Sequence, residues 1–192
     1  IGQEVDWDEV AAEADICDGL VTNKEGTTQA KWVLGGTLND SQTYEEQRAL
    51  LAASMDAFVY ERPDGKVGFK VGRWIEPEVT LTDADFLTID YSVGTSGLNT
   101  PTEVSVVYTE AEIDYQEQAS APYVLETGVV PRVDQPNLPF VTSHNQAARL
   151  NKRLAKLQSP SSSLSGTVNM VGYELMGQRF IKVQHEGLGV DG

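Results

Sequence analysis

The sequence predicts an α+β fold in which helices pack on hairpins, with mixed or antiparallel sheets. Three observations predict it. Three helix starts carry a capping-box pattern, a Pro-Asp-Gly turn sits between alternating apolar segments, and Val-rich runs follow the helices.

The first helix starts at Asp6, with Glu9 three residues on in a D-x-x-E relative of the capping box. Trp7, Val10, Ala11, Ala14 and Cys17 recur at helical spacing, and Gly19 is placed to end the helix. The spacing puts Trp7 and Cys17 on the buried stripe, where a thiol is inert. Residues 30–38 read as a strand with Trp32 and Leu34 on one face. Gly35-Gly36 marks a bulge or a close approach of another backbone. Asn39-Asp40-Ser41 matches the glycosylation sequon, a pattern short enough to arise by chance.

Thr43 and Glu46 form a T-x-x-E capping box, followed along one side by Tyr44, Gln47, Leu51, Met55 and Phe58. Phe58 and Tyr60 then alternate, Arg62-Pro63-Asp64-Gly65 turns, and Val67, Phe69 and Val71 alternate back. Pro fixes φ and Gly supplies positive φ, so this is a hairpin, and a helix laid on it buries both apolar faces. Thr82-Asp83-Ala84-Asp85 reads as a turn opening a short helical segment. Residues 94–101 read as a polar connector and residues 102–108 as a strong strand.

Residues 110–118 are acidic and read as an exposed strand or arm. Residues 121–139 hold four of the eight prolines and read as an extended, loop-like excursion. Ser143 with Gln146 is the third capping box. Ala147, Leu150, Leu154 and Leu157 stripe that helix, leaving Arg149, Lys152, Arg153 and Lys156 on the wet side. That basic face is either solvated or in contact with an acidic neighbour. Residues 158–166 read as a flexible serine-rich run, and residues 167–175 and 178–183 as two β segments. We expect two subdomains, 1–95 and 96–192. The chain opens on Ile1 and closes on Gly192, so we expect an interior segment of a longer protein.

Charge narrows the function classes. With 29 acidic and 14 basic residues the net charge is −15, which disfavours stable nucleic-acid binding and docking on anionic membranes. One cysteine excludes an intramolecular disulfide and a multi-thiolate metal site. No apolar run is long enough for membrane insertion as a helix. Asp83 and Asp85 are the one acidic pair placed to hold a hard cation, but the calcium-loop pattern is absent.

Nucleophilic catalysis needs a nucleophile beside an oriented base. His144 lies in the first turn of a helix and His185 near the C-terminal end, and no G-x-S-x-G elbow exists. No phosphate loop is present, since Gly187-Leu188-Gly189 and Gly35-Gly36 lack its Lys-Ser/Thr. The sequence therefore points to no catalytic residue, no metal and no cofactor. Two alternatives remain open: a glycan hydrolase using a carboxylate pair, and a carbohydrate-binding module using Trp32 or Trp74 as a sugar platform.

Four segments occur in an order that resembles one family. They are the 7–18 helix ending in Cys17-Asp18, and the Gly36 segment followed by Thr43-Tyr44-Glu45-Glu46 and the Asp64-Gly65-Lys66 hairpin closing at Gly72. Next come Asn99 before Val104-Ser105-Val106-Val107-Tyr108 with Asp114-Tyr115-Gln116, and then Thr142-Ser143 with Gln146-Ala147-Ala148-Arg149-Leu150. The chain is similar in these to the phage tail-tip family, which includes lambda-type tail tip attachment proteins and gene transfer agent hub proteins. Nothing in residues 94–101 or 121–139 carries the likeness. The resemblance implies a baseplate-hub-like fold and a structural, non-enzymatic part of the distal tail tip of a virion, made in the bacterial host cytoplasm. It implies other tail proteins as partners and a homotrimer that closes the tail tube, links it to host-recognition domains and opens for DNA. It brings no catalytic residues to this region.

Overall fold

The computed structural model describes residues 5–94, 100–126 and 129–191. The elements run α1 (Trp7–Asp18), β1 (Leu20–Thr22), β2 (Thr28–Ala30), α2 (Tyr44–Ser54), β3 (Phe58–Glu61), β4 (Val67–Lys70), β5 (Thr80–Leu81) and β6 (Phe86–Val93). They continue with β7 (Glu103–Val104), β8 (Val107–Glu110), β9 (Gln116–Ala119), β10 (Tyr123–Val124), β11 (Val133–Asp134) and β12 (Asn137–Leu138). The chain closes with α3 (His144–Gln158), β13 (Ser162–Val168), β14 (Lys182–His185) and β15 (Val190–Asp191). Helices and small antiparallel or mixed sheets alternate, which is an α+β fold.

The Asp6 carboxylate accepts from the Glu9 N–H at 3.0 Å and starts α1. The expected inward stripe is not the one used. Trp7 is 73% exposed, Cys17 is half-buried, and the fully buried residue is Glu13. The reason is ionic. Arg73 pairs with Glu13 and Arg62 with Asp6, while Tyr60 donates to Glu9 at 2.7 Å, so α1 turns carboxylates toward ready-made donors. Burial first, and the nearby Glu13 carboxylate second, push the Cys17 thiol up.

Strands β1 and β2 pair antiparallel, and pairing ends at Ala30. The strand expected over residues 30–38 does not form. Lys31 and Trp32 donate to Gly19 and Cys17 carbonyls at the end of α1, and the Val33 N–H is taken by the Gln146 side chain. One bridge, Leu34 to Val141, is all that remains of strand pairing there. The close approach expected at Gly35-Gly36 is real. Gly35 donates to the Phe140 carbonyl, and a Cβ on Gly36 (φ +153°) would lie 2.8 Å from the Phe140 ring.

Thr43 and Glu46 make the complete capping box of α2, although Tyr44 is exposed instead of inward. The expected β3–β4 hairpin forms, pairing Val59 with Phe69 and Tyr60 with Gly68, with Gly65 at φ +79° in its turn. One face of it, Val59, Val67 and Phe69, looks across an apolar groove to α2, while α1 lies along β4. On the other face Phe58 and Tyr60 stack at 5.4 Å. Gly68 is required opposite them, since a Cβ there would meet the Tyr60 ring at 2.5 Å.

The strong strand expected over 102–108 breaks in two. Ser105 donates to the Asp134 carbonyl and the Val106 N–H is captured by the Asn151 side chain at 2.6 Å. Strand β7 consequently sits between β10 and β11, and β8 between β12 and β9, in two successive mixed sheets. The proline-rich excursion is therefore used, not loose: it contributes β10, β11 and β12 in two-residue pieces with prolines between them. Strand β9 is the exposed acidic arm, reached through Asp114 and Tyr115 at positive φ.

Helix α3 closes the core. Val106, Tyr108, Leu138, Val141, Ala147 and Leu150 cluster there, with Trp32 and Leu154 packed against them, while Leu157 points outward. The expected Ser143/Gln146 capping box is absent: Ser143 donates to Gln29 at 3.2 Å and Gln146 is drawn inside. The serine-rich run is not a flexible linker either. Residues 162–168 pair with β6 along its whole length, and Gly166 lets the Thr88 carbonyl approach within 2.4 Å of where a Cβ would stand. Only the start of the β segment expected at 167–175 is strand; Asn169 opens a 3₁₀ turn over Met170–Tyr173. Strand β14 lies between β5 and β15. The β5–β14 and β6–β13 pairings join residues before 95 to residues after it. Of the polar connector, residues 95–99, including Asn99, lie outside the described residues.

Three capping carboxylates make the fold acid-sensitive. Asp6, Glu46 and Asp85 are held below the ordinary carboxylate range, first by hydrogen bonds from the Glu9, Thr43 and Thr82 backbone amides respectively. A depressed folded-state pKa contributes stability above the unfolded value, and that contribution is lost as pH falls through the folded one. The melting temperature followed by circular dichroism is expected to drop as pH falls below ~4. A melting temperature constant across that range contradicts the assignment.

Candidate functional site

Any chemical site requires acids, bases or nucleophiles to converge in a cleft. A cleft of about 650 Å³ is lined by Thr82, Asp83, Ala84, Gln184, His185, Glu186 and Gly189. His185 does not lie on a frayed end, as the sequence suggested. It sits in β14 with its side chain 17% exposed and Nδ1 3.1 Å from Asp83. The neighbouring hydroxyl is spent, because Thr82 donates to Asp85 at 2.8 Å and so caps the turn. Asp85 is therefore a capping group and Asp83 a histidine partner. Among the described residues no cluster of three metal-ligating side chains occurs.

His144, at the exposed start of α3, has Nδ1 3.3 Å from the Tyr108 hydroxyl, which donates to Glu110 at 2.6 Å. Burial first, and that bond second, push the Tyr108 phenol well up, so it stays protonated and serves as a fixed donor. Neither histidine has a serine or cysteine partner among the described residues.

The least exposed acids are also committed. Glu13 receives Arg73 in a two-pronged pair, at 2.6 Å for the Nη2–Oε1 arm, and the Val71 N–H at 2.8 Å. Asp56 holds Arg179 at 2.5 Å and Arg153 at 2.9 Å. Carboxylate oxygens already taken up by guanidinium and amide donors are not free to meet a substrate.

These pairs line one seam. The Arg153 and Arg179 guanidinia lie 5.7 and 5.8 Å from the centre of the Phe180 ring, and Trp74 packs on it at 4.7 Å. Trp32 donates its indole N–H to the Gly72 carbonyl and carries Arg149 over its ring at 5.7 Å. Of the two candidate sugar platforms, Trp32 is packed against the core and Trp74 is 67% exposed with its N–H 3.3 Å from Glu76. Arg149 and Arg153 are not on the wet side, as the helical stripe implied. Cation–π contact and the Asp56 pair hold both half-buried.

Sequence reasoning missed Glu13 and Asn151 and gave Gln146 a capping role in place of its inward one. Gln146 accepts from Val33 at 3.0 Å and donates to the Ser54 carbonyl at 2.9 Å. Asn151 accepts from Val106 and donates to Ser120 and Ala121. All three are buried polar groups tying distant segments. No helix among the described residues is long and apolar enough to cross a membrane.

No protein-family model matches the chain, and no curated protein matches it. Solved structures do. A chain of the virion of a native gene transfer agent particle superposes with a TM-score of 0.67 at 19% identity, covering 79% of this chain and 35% of that one. The tail protein from Neisseria meningitidis MC58 matches with a TM-score of 0.53 at 16% identity, covering 96% of this chain and 56% of that one. The chain thus has the fold of these particle proteins and spans about a third of the first and just over half of the second.

Proposed function

We propose, from the phage-tail-type fold as premise, that this chain is a structural, non-enzymatic segment of a tail tip, part of the hub that closes the tube and links it to host-recognition domains. The likeness to a gene transfer agent virion chain over 79% of the length is the observation that carries the reading. The four segments resembling the tail-tip family add their order to it. The commitment of the most buried acids to arginines also supports a role in assembly over one in turnover. In the complete protein the partners are other tail proteins and two further copies, giving a homotrimer in the virion. Residues 1–95 and 96–192 serve as two parts of that hub, joined through the shared β5–β14 and β6–β13 pairings.

Electron microscopy of particles carrying an epitope tag on the complete protein tests this. Antibody density is expected at the distal end of the tail, and purified chain is expected to release nothing from peptidoglycan. Density at the head or neck, or steady glycan release, sinks the reading.

A further inference from the structure

Helix α3 carries four cations and no acid, in a chain of net charge −15. Arg149, Lys152, Arg153 and Lys156 are spaced i, i+3, i+4 and i+7, so they share one face. Like charges four apart, as at 149/153 and 152/156, destabilise a helix by a few tenths of a kcal/mol each. That cost is retained here without intrahelical relief. Lys31 lies beside the strip, because Arg149 donates to its carbonyl.

Only Arg153 has a carboxylate partner among the described residues, Asp56 at 2.9 Å. Lys31, Arg149, Lys152 and Lys156 have none, and the Arg149 Nε is buried without a hydrogen-bond acceptor. Burial pulls Arg149 down, and burial with the neighbouring Arg73 and Arg149 pulls Lys31 down against the opposing pull of Cys17 and Glu13. The two arginines are held in place by Trp32, Phe180 and Asp56, so the exposed Lys152 and Lys156 stand beside fixed positive charge.

We infer that this strip, Lys31 with Arg149, Lys152 and Lys156, is a docking surface for an acidic segment of another protein. From Arg149 to Lys156 the helix rises about 10 Å, which matches two or three Asp or Glu side chains on a short peptide. A DNA duplex fits it poorly. It carries a charge about every 1.7 Å, and most of them would lie against the acidic remainder of the surface. This assignment is independent of the tail-tip reading, so failure of the particle-labelling experiment leaves it standing.

Fluorescence anisotropy of a labelled oligoglutamate peptide and of a labelled short DNA duplex, each titrated with the chain, tests it. Lys152 and Lys156 are exposed, so the double variant Lys152→Glu/Lys156→Glu is expected to keep the wild-type circular dichroism spectrum. The peptide is expected to bind in a salt-sensitive way, and the double variant to lose about tenfold or more in affinity. The neutral pair Lys152→Gln/Lys156→Gln is expected to fall between. Absence of peptide binding, equal binding by the charge-reversed variant, or tighter binding of the duplex each overturns the assignment.

Discussion

Glu13→Ala is expected to lower the unfolding free energy by about 3 kcal/mol, the low end of the range for breaking a buried ion pair from one side. Glu13 is 3% exposed, so its removal strands both the Val71 N–H and the Arg73 guanidinium. The Arg73 side chain is a quarter exposed, and water reaching it keeps the loss from the top of that range. Glu13→Gln keeps an acceptor for Val71 but lacks the charge, and is expected to lose less. Urea unfolding followed by tryptophan fluorescence measures both. A loss below about 1 kcal/mol for the alanine variant means the pair is merely a surface contact.

The second large effect is expected at Gln146. Gln146→Leu is nearly volume-conserving, so its cost reports hydrogen bonding more than a cavity. It leaves the buried Ser54 carbonyl without a partner, at about 1–3 kcal/mol, and the part-buried Val33 N–H with only water to turn to, so a total loss of roughly 3 kcal/mol follows. The same variant is expected to speed hydrogen exchange at the Val33 amide by more than the global loss explains, because that amide loses its own acceptor. Unchanged urea midpoints, or a protected Val33 amide, contradict the bridging role.

Buried joints of this kind explain where reading the sequence succeeded and where it did not. The Asp6 cap, the Thr43/Glu46 box and the Arg62–Gly65 turn each close within four residues, so their chemistry is complete in the local sequence. The same local pattern at Ser143 and Gln146 fails, since Gln146 satisfies two otherwise stranded backbone groups more than ninety residues away in sequence. Residues 102–108 have the composition of one strand, yet Asn151 takes an amide from the middle of it and divides it between two sheets. The serine-rich run lacks apolar weight and reads as linker. Pairing with β6, reinforced by the Ser92–Ser163 hydroxyl contact at 2.7 Å, makes it a strand.

The surface followed the same division. Helical spacing identified the four cations of α3 but not which of them meet water, because Trp32, Phe180 and Asp56 arrive from other parts of the chain. Likewise α1 shows an apolar stripe in sequence and buries a glutamate in space, since an arginine sixty residues on supplies the countercharge.

By itself the sequence determined the α+β class, the α1 and α2 caps, the β3–β4 hairpin and the resemblance to tail-tip proteins, because capping, turn geometry and alternation are short-range. The tertiary structure alone decided which polar groups go inside and which strands break. It also decided which cations of α3 lack a carboxylate partner among the described residues, because a buried donor, acceptor or charge is satisfied by whatever partner the fold brings to it.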